Sequence, residues 1–142
     1  GYDYQLIGKS FLAANDGASL QLQLGISGPT YRSSLYRAPM GYIRTSGAST
    51  GNTNTTFILL QASAGNLADE FQHFELTFFD PANASTDTTW LGQTAGRNLT
   101  PDEDNYIYGG HYTTSEAHVA LKLYFSSGTV TGELYLFKRG NA

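Results

Sequence analysis

The chain has 142 residues and a mass of 15.4 kDa, the size of one ordinary domain, and only 14% of its residues are charged against a usual share of about 25%. Ten Tyr, eight Phe and sixteen Gly exclude a coiled coil, a helical bundle or a charge-rich disordered segment. The net charge of -4 provides no basic surface to neutralise a phosphate backbone, so no nucleic acid is expected as partner. With no Cys, disulfides and thiolate metal sites are ruled out. No apolar run approaches the roughly eighteen residues that span a bilayer, so no membrane insertion is expected.

The opening Gly1-Tyr2-Asp3-Tyr4-Gln5-Leu6 lacks an initiator Met and reads at once as a strand, which suggests a module cut from a longer polypeptide. After a turn at Asn15-Asp16-Gly17, Leu20, Leu22, Leu24 and Ile26 alternate with Ser19, Gln21, Gln23 and Gly25, the pattern of a strand with one face on a core. Ser27-Gly28-Pro29 predicts the next reversal, and shorter runs at Leu35 to Arg37 and Gly41 to Arg44 read as strands. From Thr45 to Thr55 only Thr, Ser, Gly, Ala and Asn occur, a composition that buries almost nothing and predicts a long surface loop. Thr56 to Gln61 predicts another strand, and Asn66 to Phe71 has room for a single helical turn.

Phe74, Leu76 and Phe78 alternate with His73, Glu75 and Thr77 before a turn at Asp80-Pro81. Strands follow at Thr89 to Gln93 and Tyr106 to Tyr108, with Gly109-Gly110 predicted as a reversal. Val119, Leu121, Leu123 and Phe125 form the third clear alternation, Ser127-Gly128 turns the chain, and Gly132 to Lys138 is the last strand. About nine or ten short strands without intervening helices predict an all-β fold, an antiparallel two-sheet β-sandwich that is jelly-roll-like. The whole of residues 1–142 reads as one such domain.

His73, His111 and His118 stand near no nucleophile elbow, and no zinc-protease spacing joins them, so neither a catalytic triad nor a metal centre is indicated. The chain is read as a non-enzyme without cofactor. Asp102-Glu103-Asp104-Asn105 gathers oxygen ligands as a calcium site would, but without the spaced acidic pattern and glycine of a calcium loop, and a solvated acidic turn is the reading preferred. Asn54-Thr55-Thr56, Asn83-Ala84-Ser85 and Asn98-Leu99-Thr100 match the glycosylation acceptor pattern.

Aromatic side chains are the more telling residues, because sugar rings stack their C–H faces on Tyr and Trp while amides, guanidiniums and imidazoles take the hydroxyls. Tyr108 and Tyr112 beside Gly109-Gly110, with Trp90, are the expected stacking platforms, and Arg97, Asn105 and His111 the expected hydrogen-bonding groups. Of the platforms, Trp90 is the one most expected to pack inward instead.

Gly110-His111-Tyr112 followed by Val119-Ala120-Leu121-Lys122-Leu123-Tyr124-Phe125-Ser126-Ser127-Gly128-Thr129-Val130-Thr131-Gly132-Glu133-Leu134-Tyr135-Leu136-Phe137 resembles the closing segment of the β-sandwich modules at the ends of tailed-bacteriophage tail fibres and related virion appendages. Tyr2-x-Tyr4-x-Leu6, Asp16-Gly17, the alternating Leu strand, Tyr31 and Tyr36 extend the likeness to the opening, and Phe74-x-Leu76 with Asp80-Pro81 to the middle. The chain departs from that family at Leu136-Phe137, where Gly is usual, which bears on the packing of the last strand or on a subunit contact there. The resemblance implies the C-terminal module of a virion appendage, extracellular on the virion surface, homo-oligomeric as a trimer and in contact with other virion proteins. It further implies binding to a host-surface receptor, for which the aromatic residues suggest a glycan, with structural decoration or fibre assembly as the alternative. It carries no catalytic residues.

Overall fold

The computed structural model describes residues 1–26, 30–45, 47–51, 56–100 and 102–140. Its strands are β1 (Tyr2–Ala13), β2 (Ala18–Gly25), β3 (Tyr36–Arg37), β4 (Met40–Arg44), β5 (Gly47–Gly51), β6 (Ile58–Ala64), β7 (Gln72–Phe79), β8 (Thr89–Arg97), β9 (Glu103–Tyr112), β10 (Ala120–Phe125) and β11 (Val130–Gly140), and no helix forms among the described residues. An eight-stranded sheet runs in the order β11-β1-β7-β8-β9-β4-β5, with β3 also paired to β9, and a three-stranded sheet runs β10-β2-β6. Every pairing is antiparallel. The protein is an all-β sandwich of unequal sheets.

Leu20, Leu22 and Leu24 of β2 and Ile58 and Leu60 of β6 are buried against Leu6, Phe74, Leu76, Phe78, Trp90, Tyr106 and Tyr108 of the large sheet. Alternation puts these side chains on one face of each strand, and each buried large side chain stabilises the fold by roughly 1.5–3 kcal/mol. The alternation overreaches at the ends of the small sheet. Ile26 lies past the end of β2 and is half-buried, and Val119 precedes β10 and is exposed. Leu121 and Leu123 pack on the core but are only partly covered, because β10 is an edge strand.

Three local expectations are corrected. Gly109-Gly110 is no reversal but lies within β9. Asn66 to Phe71 forms a hydrogen-bonded turn in place of a helical one: the Glu70 N–H donates to the Leu67 carbonyl at 2.9 Å and the Leu67 N–H donates to the Glu70 carboxylate at 2.8 Å. The low-complexity segment is not loop throughout, since Gly47–Gly51 pairs with β4 from Arg44↔Gly47 to Met40↔Gly51. An edge strand needs only backbone partners, so a run without core-forming side chains suffices there. Ser27-Gly28-Pro29, residue 46 and residues 52–55 lie outside the described residues.

The small sheet does not extend over the far edge of the large one. β11 pairs with β1 and every one of its residues is exposed. Leu136, opposite the buried Leu6, is 57% exposed on the core-side face, and Phe137 is 51% exposed on the other. Val130, which alternation and its flanking glycines would tuck inward, is exposed as well.

Candidate functional site

The strand periodicity of β9 decides the fate of most expected binding residues. Asp104, Tyr106, Tyr108 and Tyr112 point between the sheets and are buried, while Glu103, Asn105, Ile107 and His111 face outward and are exposed. Tyr108 bonds through its hydroxyl to Thr94 Oγ1 at 3.0 Å and to the Gln93 carbonyl at 3.2 Å, and burial drives its pKa upward. Tyr112 packs edge-on against Tyr36 and His118, with ring centroids 5.2 and 4.8 Å apart. Trp90 is buried against Tyr36 and Phe78. Tyr108, Tyr112 and Trp90 are therefore core residues, and no sugar ring can stack on them in this fold.

Arg97 is half-buried and ion-paired to Asp69, and its carbonyl accepts from the Gln72 side chain. Asn105 and His111 share the outer face of β9 but stand six residues apart, about 20 Å along a strand. The six residues do not converge on one site.

The acidic run divides between the two faces of the sheet. Asp104 is fully buried: its Oδ1 accepts from Arg44 Nε at 2.6 Å and its Oδ2 from the Asn98 amide at 3.1 Å. The Arg44 guanidinium also lies 4.7 Å from the Tyr42 ring centroid, and its pKa is raised by its hydrogen bonds to Tyr106 and Asp104. Glu103 and Asn105 point to the opposite side, so residues 102–105 cannot close on one cation, and no cluster suited to a metal ion occurs among the described residues. Asn98 is itself buried, with its Oδ1 accepting from the Thr100 and Asp102 N–H groups, which withdraws it as a glycan acceptor. Asn83 is half-buried and bonded to Asp80, and Asn54 lies outside the described residues.

A second polar cluster, invisible to sequence reasoning, ties three loops together. Arg32 donates to both carboxylate oxygens of Glu116 through Nε and Nη2, Glu116 Oε1 stands 3.3 Å from His118 Nε2 without hydrogen-bond alignment, and His118 Nδ1 is 2.8 Å from Thr88 Oγ1. The arrangement of acid, imidazole and hydroxyl has a catalytic look, but Thr88 is only 1% exposed and out of reach of a substrate. Burial lowers the His118 pKa, against the raising influence of Glu116, and the hydrogen bond from Arg32 lowers that of Glu116.

The accessible chemistry lies on the outer face of the large sheet. The ladders align Ile7 with Glu75, Glu75 with Gln93 and Gln93 with Ile107, a row across four strands. Beside it, Lys9, His73 and Asn105 complete an open groove of about 470 Å³. All of these side chains except the half-buried Ile7 are exposed, and His73 Nδ1 accepts the Ser10 N–H at 3.3 Å. The groove offers amide, imidazole, ammonium and carboxylate groups between aliphatic patches. Asn105 alone among its residues was expected from sequence; the others required the strand order. Comparison of the chain with known protein families, curated proteins and solved structures gives no match.

Proposed function

We propose that the chain is a non-catalytic attachment module of a virion appendage, tail-fibre-like, that binds a host-surface saccharide through the outer face of its large sheet. The observation that carries this reading is the row Ile7, Glu75, Gln93 and Ile107 with Asn105 beside it. Hydrogen-bonding groups spaced at strand intervals suit hydroxyls, and the aliphatic side chains between them suit the C–H faces of a sugar. The low charge favours a neutral partner over phosphates. A shallow open site binds weakly, and adhesion then comes from several copies on one particle.

Replacing Gln93 and Asn105 together by Ala tests the site, since both are exposed and the fold should survive. Adsorption to host cells and retention on a glycan array should fall about ten-fold or more, the equivalent of two lost neutral hydrogen bonds of roughly 0.5–1.5 kcal/mol each. Wild-type adsorption by that variant would refute the site. The alternative reading, an assembly module with no ligand of its own, is favoured by the doubly exposed β11, and it would prevail if the intact assembled module adsorbed to no cell and no glycan.

A further inference from the structure

Among the described residues, β11 combines a free sheet edge with two uncovered faces, since β1 is its sole neighbour in the sheet order. From Tyr2↔Gly140 to Lys9↔Glu133 its ladder with β1 is regular; beyond Glu133 the register slips, and Gly132 takes φ 149°, a conformation that side chains rarely adopt. The regular stretch 133–140 thus has Leu136 and Phe137 at its middle. A strand edge of this kind is a template for another strand.

The stretch is complementary to itself. A two-fold axis perpendicular to a sheet keeps each face on its own side and places residues of equal parity opposite one another. With the axis at Leu136, Glu133 faces Arg139 of the second copy, Tyr135 faces Phe137, Leu134 faces Lys138, and Leu136 faces itself. The outer face then gains an opposite-charge pair and an aromatic pair, each twice, and on the core side the Lys138 stem lies along Leu134. Glu133 already accepts the Tyr135 hydroxyl at 2.7 Å, and a carboxylate retains acceptor sites for a guanidinium. Moving the axis to Tyr135 sets Glu133 against Phe137, and moving it to Phe137 sets Arg139 against Tyr135, so either shift loses the charge pairs.

We propose that two copies of this chain associate by antiparallel β11–β11 pairing about a two-fold axis through Leu136, joining their large sheets into one. The pairing is two-fold, in contrast to the trimer that the family resemblance implies. It leaves Gln93 and Asn105 untouched, so dimer formation and adsorption are read separately.

Because the chain has no cysteine, single Cys substitutions give a direct readout. Directly opposed residues have Cα atoms about 4.5–5.5 Å apart, within disulfide range, whereas Leu134 and its own copy would be displaced by four residues, about 13 Å. Mild oxidation should convert L136C to a covalent dimer and leave L134C monomeric. In sedimentation, E133R and R139E should each weaken the wild-type dimer on the order of ten-fold, and the E133R/R139E double variant should return it to within about two-fold. These positions are exposed, and circular dichroism checks that each variant keeps the fold. A wild-type chain that stays monomeric up to roughly millimolar concentration, weaker than any specific pairing of use, overturns the proposal. So does equal cross-linking of L134C, or a double variant no better than either single one.

Discussion

Gly110 lies directly against the backbone of Arg37: a Cβ placed on Gly110 would stand 3.0 Å from both the Arg37 carbonyl carbon and the Ala38 Cα, and closer still to the Arg37 carbonyl oxygen. This close approach lets one chain segment pair twice with β9, through Arg37↔His111 and then through Met40↔Tyr108, with Ala38-Pro39 crossing between. Gly110→Ala should push that crossing off the sheet and cost about 1–3 kcal/mol. Gly109→Ala is the control, because its Cβ would meet its nearest neighbours at 3.4 Å, an ordinary contact. Urea midpoints compare the two variants, and equal midpoints would show that the crossing has room to yield.

The Arg44–Asp104 pair is the polar tie of the large sheet's inner face. Asp104 is fully buried while the Arg44 side chain is 31% exposed, so water reaches the cation but not the carboxylate. Arg44→Ala should then leave a buried charge with amide and hydroxyl partners alone and cost roughly 3 kcal/mol at neutral pH, toward the low end for a broken buried pair. Arg44→Lys keeps the charge but loses the planar donor fork and its seat over Tyr42, and should recover part of the loss. Chemical denaturation measures both. A cost for Arg44→Ala below about 1 kcal/mol, the range of a surface pair, would mean that Asp104 is solvated.

What the sequence made legible follows from how much of the signal is local. β2 and β7 bury one face along most of their length, so Leu20, Leu22 and Leu24, and Phe74, Leu76 and Phe78, are where alternation puts them. Gly109-Gly110 misleads because a glycine pair has the same local signature at a turn and at a close backbone approach, and only the position of Arg37 separates the two. That misreading also suggested that Tyr108 and Tyr112 were accessible, whereas both are core. β11 alternates Leu134 and Leu136 with Tyr135 and Phe137 like any buried-face strand, but what would cover it is a property of the three-stranded sheet opposite. The outer-face groove draws one or two side chains from each of four strands, and their neighbourhood is set by strand order, which no local pattern encodes.

His118 makes stability depend on pH in a defined direction. Its side chain is 1% exposed, beside Thr88, Tyr112 and Glu116. Burial holds its pKa below the ordinary 6.5, and Arg32 pushes the same way against the pull of the Glu116 carboxylate. With the folded pKa below the unfolded one, the unfolded chain binds the proton more readily. The contribution of neutral His118 is therefore complete above about pH 6.5 and is lost as pH falls toward the folded value. Glu116, lowered from 4.5 chiefly by Arg32, adds a second loss only below about pH 4.5. The melting temperature should thus begin to fall between about pH 7 and pH 5.5, where no ordinary carboxylate titrates. His118→Gln removes the imidazole while keeping a hydrogen-bonding group for Thr88, and its melting temperature should decline less over that interval. Parallel declines in the two proteins would assign the early acid sensitivity to some other group.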